Sequence, residues 1–282
     1  MASRAAPVTL LPNHLAITPG TDIYGVWIDP VEELITGKLR EWADKAEVTS
    51  IRIPGYWTHK KGSDIEPFSS PQPGEKIVYA LHGGAYVRLS GHPTDVTGNI
   101  GKGFLQYVDK VTRVFSTEYR LAVGKPNIPQ HSFPTQLIDA LAGYNYLVNV
   151  VGFSPEDIIV EGDSAGGNLA HALTRYLVEY QGNAEVKLPG PPSALILTSP
   201  WADLGEGHET LPNGSAKKFL GQETVHTQRA LSRASMDCPL PTRTHISLLL
   251  HWIPPSGSAS KVSLEHSSLV VEQNSFWTAF AL

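Results

Sequence analysis

The sequence predicts an α/β fold in which helices cover both faces of a mostly parallel sheet. Between residues 76 and 200, short runs centred on consecutive apolar residues alternate with longer segments that carry apolar residues at helical spacing. Strands buried on both faces have such continuously apolar sequences, and connecting helices allow them to run parallel. The predicted strands are 76–81, 113–119, 157–160 and 193–198, and the predicted helices are 135–151 and 165–180.

Composition limits the classes of function that this chain can have. Its 282 residues suffice for one large α/β domain or two small ones, and 41% of them are hydrophobic, as in ordinary globular proteins. A net charge of −5 without a basic block speaks against nucleic-acid binding. No window of about 18 apolar residues occurs, so we expect no membrane span. The N-terminus lacks the apolar stretch of a signal peptide, and the single Cys238 excludes an internal disulfide, which favours a cytoplasmic protein.

The first 45 residues are predicted to be a separate helical segment. Residues 29–44 have the apolar spacing of one amphipathic helix. Asp29 would be its N-cap, and Pro30 would occupy the first helical position, where proline is favoured.

The predicted core occupies residues 46–220 and begins with an alternating, strand-like run at 48–53. From 221 to 282 the alternation of strands and helices is no longer recognisable. We therefore expect an aberrant, poorly ordered tail and a core whose C-terminal strands are missing.

A tight turn of the sequence Gly-Asp-Ser-Ala-Gly-Gly lies between a predicted strand and a predicted helix. A serine nucleophile needs such a turn, because its strained backbone lifts the hydroxyl above the sheet. Gly162 and Gly166 leave room for the turn, and the N-terminus of the helix favours negative charge that develops nearby. This context predicts Ser164 as a nucleophile and the Ala165 N–H as a donor to the oxyanion.

The motif His-Gly-Gly-Ala-Tyr at 82–86 directly follows another predicted strand. Adjacent glycines let the backbone approach a substrate and turn N–H groups toward it. Gly83 and Gly84 are therefore predicted to complete an oxyanion hole with Ala165. Taken alone, the motif also fits a phosphate-binding turn or a plain tight turn.

The two motifs resemble those of the hormone-sensitive-lipase-like esterases, the α/β-hydrolase fold-3 group, and particularly its fungal members. The similarity extends over about residues 50–205. Further matching features are Phe-Ser-Thr-Glu-Tyr-Arg-Leu from Phe115, Pro129, Phe133-Pro134, Asp139-Ala-Leu and Ser-Pro-Trp-Ala-Asp-Leu from Ser199.

This resemblance implies an α/β-hydrolase fold and hydrolysis of carboxylic esters, often short-chain or aryl esters, through an acyl-enzyme. It implies a small-molecule ester as the partner, and neither a metal nor a cofactor. His82 would orient the oxyanion loop rather than act as the general base, and the predicted helix 29–44 would belong to a cap over the site. Ala85 departs from the pattern, because many members have a third glycine there, but a methyl group is expected to be tolerated.

The sequence does not identify the base and the acid that a serine nucleophile requires. In this fold the acid and then the histidine follow the serine, on loops after two later strands. None of the available residues lies in a predicted strand–loop context, and Asp203 belongs to a block whose aspartate is not the triad acid. The available carboxylates are Asp203, Glu206, Glu209, Glu223, Asp237, Glu265 and Glu272, and the histidines are His208, His226, His245, His251 and His266.

A slip of the reading frame offers one explanation for the aberrant tail. When the tail is back-translated and read in the frame shifted by one base, the codons of Trp252 and Trp277 leave no freedom, and each junction gives Leu followed by Asp. This resembles an Ala-Glu-x-x-Leu-Asp stretch that lies near the triad acid in the family. The hypothesis is that the frame slips between about residues 221 and 242 and that the chain ends at a premature stop before the catalytic histidine. The competing readings are a non-catalytic protein that binds small molecules in the same pocket, and an inactive pseudogene product.

Overall fold

The computed structural model describes residues 15–18, 20, 23–63, 65, 68–124 and 127–201, together with 249–250, 262–263 and 279–281. Four α-helices occur in these residues: α1 Gly37–Lys45, α2 Gly98–Tyr107, α3 Thr135–Asn145 and α4 Ala165–Glu179. The described strands are β1 Tyr24–Ile28, β2 Ile53–His59, β3 Lys76–Leu81, β4 Val111–Thr117, β5 Ile158–Asp163, β6 Ala194–Thr198, β7 Leu249–Leu250, β8 Val262–Ser263 and β9 Ala279–Ala281.

The main sheet has seven strands in the order β1-β2-β4-β3-β5-β6-β9. Its four central strands, β4, β3, β5 and β6, are parallel. The antiparallel pairs lie at the two edges, where β1 and β2 precede β4 and where β9 pairs with β6. The short strands β7 and β8 form a separate antiparallel pair. The predicted parallel sheet is therefore confirmed at its centre, and the described tail strands pair antiparallel.

Helices cover both faces of this sheet, as predicted. Along β3 the side chains alternate, so that Ile77 and Tyr79 belong to the large core beneath α3 and α4, whereas Val78 belongs to a smaller cluster beneath α2. The second cluster contains Leu105 of α2. The helices α2, α3 and α4 connect successive central strands, and such crossover connections allow these strands to run parallel.

The N-terminal segment differs from its prediction, because one helix over 29–44 does not form. A single 3-10 turn at Glu32–Leu34 is followed by extended backbone, and α1 begins only at Gly37, with Thr36 as its N-cap. In a continuous helix the Leu34 carbonyl and the Thr36 N–H would bond within the helix. Instead both are bonded to the Tyr176 hydroxyl of α4, at 2.7 and 2.9 Å.

The bounds of β2 and β4 also differ from the predicted ones. The strand predicted at 48–53 begins only at Ile53, where β2 starts, and residues 48–52 belong to no helix or strand. The strand predicted at 113–119 corresponds to β4, which begins two residues earlier and ends at Thr117. Neither β1 nor α2 was predicted.

None of the helices in the part of the chain that the structure describes is long and apolar enough to cross a membrane. The division into a segment 1–45, a core 46–220 and a tail stays a prediction. The expected disorder of 221–282 concerns residues that, apart from β7, β8 and β9, lie outside the described ones.

Candidate active site

The structure places Ser164 at a strand-to-helix elbow, between the end of β5 and the start of α4. Its backbone has φ +52° and ψ −115°, which is unfavourable for a residue with a Cβ. Hydrogen bonds on both sides hold this conformation. The Ser164 N–H donates to the Thr198 carbonyl at 2.9 Å, and the Ser164 carbonyl accepts from the Trp201 N–H at 3.0 Å. The end of β6 therefore fixes the turn that carries the serine.

Two glycines allow the first turn of α4 to approach the sheet closely. A Cβ on Gly162 would collide with the Gly166 carbonyl, and a Cβ on Gly166 would collide with the Leu81 carbonyl at the end of β3. Both contacts are with backbone atoms, which cannot move aside as a flexible side chain can. The glycines therefore determine how close Ser164 comes to the loop that follows β3.

That loop contains the second motif and turns sharply after His82. Gly84 has φ +104°, and a Cβ there would collide with the Arg88 carbonyl. Ala85 and Tyr86 also have positive φ, at +59° and +63°. The turn closes with hydrogen bonds of 3.1 Å from the N–H groups of residues 87 and 88 to the Gly84 carbonyl. This geometry turns the loop backbone toward the elbow. At Gly84 it excludes any residue that has a Cβ.

Gly83, one of the predicted oxyanion donors, lies beside Asp163. The Gly83 N–H donates to Asp163 Oδ1 at 2.8 Å, so this N–H is already bonded within the protein. The pKa of Asp163 is raised by burial, an effect that this hydrogen bond partly offsets. The N–H groups of Gly84, Ala85 and Ala165 make no hydrogen bond within the described part of the chain. Sequence reasoning missed Asp163, although it lies next to Ser164 in the motif.

His82 is buried beneath the loop and lies flat against Tyr119, with ring centroids 4.0 Å apart and an interplanar angle of 4°. Its Nδ1 is 2.6 Å from the Gly83 carbonyl, and the Tyr119 hydroxyl donates to the His82 carbonyl at 2.6 Å. These contacts fit the orienting role predicted for His82, since they hold the backbone on both sides of the loop's first peptide.

Tyr119 is in turn held by a buried ion pair directly after it. The Arg120 guanidinium and the Asp139 carboxylate of α3 are bonded at 2.7 Å, and Asp139 Oδ2 also accepts from the Arg120 N–H at 2.8 Å. Both side chains are almost fully buried. Buried pairs of this geometry fix the chain locally, so α3 contributes to positioning the oxyanion loop through Tyr119.

Three side chains connect the oxyanion loop, α4 and the segment after β6. The Tyr86 hydroxyl donates to Asn168 Oδ1 at 2.8 Å, and the Asn168 amide donates to the Trp201 carbonyl at 2.8 Å. Tyr86 and Trp201 also meet edge to face, with ring centroids 6.2 Å apart. Tyr86 and Trp201 belong to sequence motifs of the predicted family and Asn168 directly follows the elbow motif, but the sequence alone assigned none of them a role.

The described residues do not bring a base to the serine. No hydrogen bond joins Ser164 Oγ to a histidine in this part of the chain. The carboxylates and histidines considered as triad partners, from Asp203 to Glu272, all lie outside the described residues. The triad acid and base are therefore unassigned.

The chain is similar to known esterases. An esterase of Mycobacterium tuberculosis, LipU, is 33% identical over 134 residues, which are 48% of this chain and 38% of LipU. An esterase of Acinetobacter venetianus is 31% identical over 167 residues, 58% of this chain and 46% of that protein. Human arylacetamide deacetylase-like 2 is 39% identical over 79 residues, 26% of this chain and 18% of that protein.

This chain spans less than half the length of the relatives it matches. Those relatives are bacterial and mammalian, so they do not support the predicted fungal affinity. A family profile described as alpha/beta hydrolase fold matches residues 78–252. Its end lies beyond the interval 221–242, so the match gives no support to a slip of the frame there. Because the matched span covers more than half of the sequence and contains both glycine motifs, the chain belongs to this alpha/beta hydrolase fold family.

Proposed function

We propose that this protein hydrolyses carboxylic esters of small molecules, with Ser164 as the nucleophile. The observation that carries the proposal is the elbow itself, at which a strained serine stands at the N-terminus of α4. The unbonded N–H groups of Gly84, Ala85 and Ala165 are available to bind an oxyanion there. Gly83 contributes by its hydrogen bond to Asp163, which ties the loop to the elbow.

The reaction follows from these positions. Ser164 Oγ attacks the ester carbonyl carbon and gives up its proton to a base, while the carbonyl oxygen gains negative charge and binds the N–H groups. The intermediate collapses to an acyl-enzyme, and the alcohol leaves with a proton. Water then attacks the acyl group, releases the acid and returns the proton to Ser164. In this scheme His82 orients the oxyanion loop and is not the general base, since its Nδ1 is hydrogen-bonded to the Gly83 carbonyl.

We further propose that the present tail lacks the triad acid and base because the frame slips ahead of it. The paired Leu-Asp junctions at Trp252 and Trp277 support this proposal. The nucleotide sequence of codons 220–245 tests it directly. A continuous frame that encodes the present tail in independent isolates would contradict the slip.

The activity is tested on a protein that keeps the present sequence up to the proposed slip. Its tail is then read in the shifted frame to the stop codon of that frame. This product should hydrolyse p-nitrophenyl acetate and butyrate, and Ser164→Ala should abolish the hydrolysis. Ser154→Ala is the matched control, because Ser154 is exposed and lies outside both motifs. Stoichiometric binding of an ester without turnover would favour the small-molecule-binding alternative, and turnover that survives Ser164→Ala would refute the proposed nucleophile.

A further inference from the structure

A small cavity lies on the α2 face of the sheet, adjacent to the start of the oxyanion loop. Its walls include Leu81 and His82 at the end of β3, Glu161 and Asp163 of β5, and Lys102 of α2. The cavity has a volume of about 20 Å³, enough for one water molecule or one monovalent ion. It is distinct from the elbow serine, because Ser164 is not among the residues that line it.

Glu161 is the unusual member of this cavity. Its side chain is only 3% exposed, and its Oε1 is buried without a hydrogen-bond partner among the described residues. Asp163 lies two residues further along β5 and therefore points to the same face of the sheet. A buried carboxylate without a donor is costly, and a second carboxylate beside it raises that cost. The cavity therefore contains a strong acceptor, Glu161 Oε1, that the described protein atoms do not satisfy.

We propose that this cavity binds a small monovalent cation, Na⁺, K⁺ or NH₄⁺, between Glu161 and Asp163. Oxygen ligands suit hard cations, and the hydroxyl residues Thr58 and Ser116 line the same space. Ca²⁺ takes about six to eight oxygen ligands and Mg²⁺ keeps several waters, for which a cavity of about 20 Å³ has no room. No group of three acidic, histidine or cysteine ligands occurs in the part of the chain that the structure describes.

Protonation is the competing way to satisfy Glu161. Burial, followed by the charge of Asp163, raises the pKa of Glu161 to about 8, so without a cation this side chain holds a proton at neutral pH. The titratable residues that line the cavity with Glu161 are His82, Asp163 on the same strand and Lys102 on α2, and Asp95 acts on Asp163. A bound cation replaces that proton, and the cavity then holds two carboxylates and one ion.

The cation site is connected to the oxyanion loop through one residue. Asp163 faces the cavity and at the same time accepts the Gly83 N–H through Oδ1. A cation bound between Asp163 and Glu161 would reduce the repulsion between the two carboxylates, hold them together and thereby fix the position of the loop. Glu161 is thus a positioning residue, which acts on the loop through Asp163.

The test measures the thermal unfolding midpoint of the full chain in NaCl, KCl or NH₄Cl, against choline chloride at the same concentration. Choline is too large for the cavity, so it controls for ionic strength. A ligand that binds only the folded state stabilises it by mass action. We expect at least one small cation to raise the midpoint saturably, by about 2–4 °C. Glu161→Gln should abolish this rise, whereas exposed Glu156→Gln should retain it.

Thr58→Val provides a second variant that leaves both carboxylates in place and should weaken the cation effect if Glu161→Gln does not fold. Equal midpoints in all four salts would overturn the proposal and would mean that Glu161 is protonated beside a water molecule. A rise that persists unchanged in Glu161→Gln and Thr58→Val would place the cation elsewhere and would overturn it as well. Neither outcome depends on esterase activity, so a failure here is distinguishable from a failure of the proposed function.

Discussion

At Ser164 the backbone adopts a conformation that costs a non-glycine residue about 1–3 kcal/mol. The neighbouring residues compensate for this cost by hydrogen bonds and by the absence of side chains. Gly162 and Gly166 do so through backbone contacts that the sequence motif already indicates, since small residues flank the serine at fixed spacing. The hydrogen bond from Gly83 to Asp163 could not be predicted in this way, because it depends on how two loops meet in space.

Gly166→Ala should destabilise the protein by about 3 kcal/mol or more, because the added methyl group would collide with the Leu81 carbonyl and approach that of His82. Gly103→Ala is the matched control in α2. A Cβ there would meet nothing within 4 Å, so alanine should stabilise the helix by up to about 1 kcal/mol. Urea denaturation measures both free energies of unfolding. Equal effects of the two substitutions would show that the close approach at the elbow is not rigid.

The lowered pKa of His59 should make the stability of the protein depend on pH. Burial of the ring, followed by the charge of Arg113, lowers its pKa in the folded state below the ordinary 6.5. The unfolded state therefore binds more protons as the pH falls through about 6.5, and stability decreases until the folded-state pKa is passed. His59→Phe removes this contribution but keeps an aromatic ring beside Tyr24 and Trp57.

The free energy of unfolding is measured for the unsubstituted protein and for His59→Phe between pH 8 and pH 5. The unsubstituted protein should lose stability more steeply than His59→Phe below about pH 6.5. His171, whose pKa is also lowered by burial, is present in both proteins and cancels in the difference. Parallel curves for the two proteins would show that His59 binds its proton equally in the folded and unfolded states.

At the scale of the secondary-structure elements, periodicity predicted the elements that are regular and buried. The strands β3 and β6 and the helix α4 lie where apolar runs or helical spacing placed them. The helix α2 was missed because three glycines in ten residues disfavour a helix. One of them, Gly101, is explained only by packing, since a Cβ there would come within 3.0 Å of Val114 in β4.

The broken helix at the N-terminus shows how a tertiary contact overrides a helical pattern. Val31, Leu34 and Ile35 have the spacing of one helix face, and all three are buried. Even so, the Tyr176 hydroxyl binds the backbone at residues 34 and 36, and the Tyr180 hydroxyl accepts the Lys38 N–H at 3.0 Å. Side chains on α4 thus determine where α1 begins, and the sequence of the segment itself does not contain this information.

Tyr176→Phe should destabilise the protein by about 1–3 kcal/mol, because it leaves the Leu34 carbonyl and the Thr36 N–H without their buried partner. Tyr107→Phe is the matched control, since Tyr107 is 78% exposed at the end of α2 and should have almost no effect. Urea denaturation gives both values. If the two substitutions have the same effect, the tyrosine hydroxyl does not fasten the N-terminal segment to α4.

At the scale of the whole molecule, the chain brings together parts that are far apart in sequence. The oxyanion loop after β3, the elbow after β5 and the segment after β6 meet through Asp163, Asn168 and Trp201. The order of parallel strands dictates this meeting, because loops at the carboxyl ends of neighbouring strands lie side by side. The sequence was therefore sufficient to predict that Ser164 lies at a strand-to-helix elbow, whereas its role as the nucleophile stays a prediction. It could not locate an acid and a base, because the tail lacks the regular pattern from which such positions are deduced.

The chain with the tail that it has should show almost no esterase activity. Loss of the general base reduces kcat by about a millionfold in serine hydrolases, nearly as much as loss of the whole triad, because the triad acts as a unit. The oxyanion hole alone retains about a thousandfold or more over the reaction in water. We therefore expect p-nitrophenyl butyrate hydrolysis by this chain to be indistinguishable from that of Ser164→Ala, provided that circular dichroism shows both to be folded. Fast turnover that Ser164→Ala abolishes would mean that a histidine of the present tail reaches Ser164, and the proposed slip of the frame would be wrong.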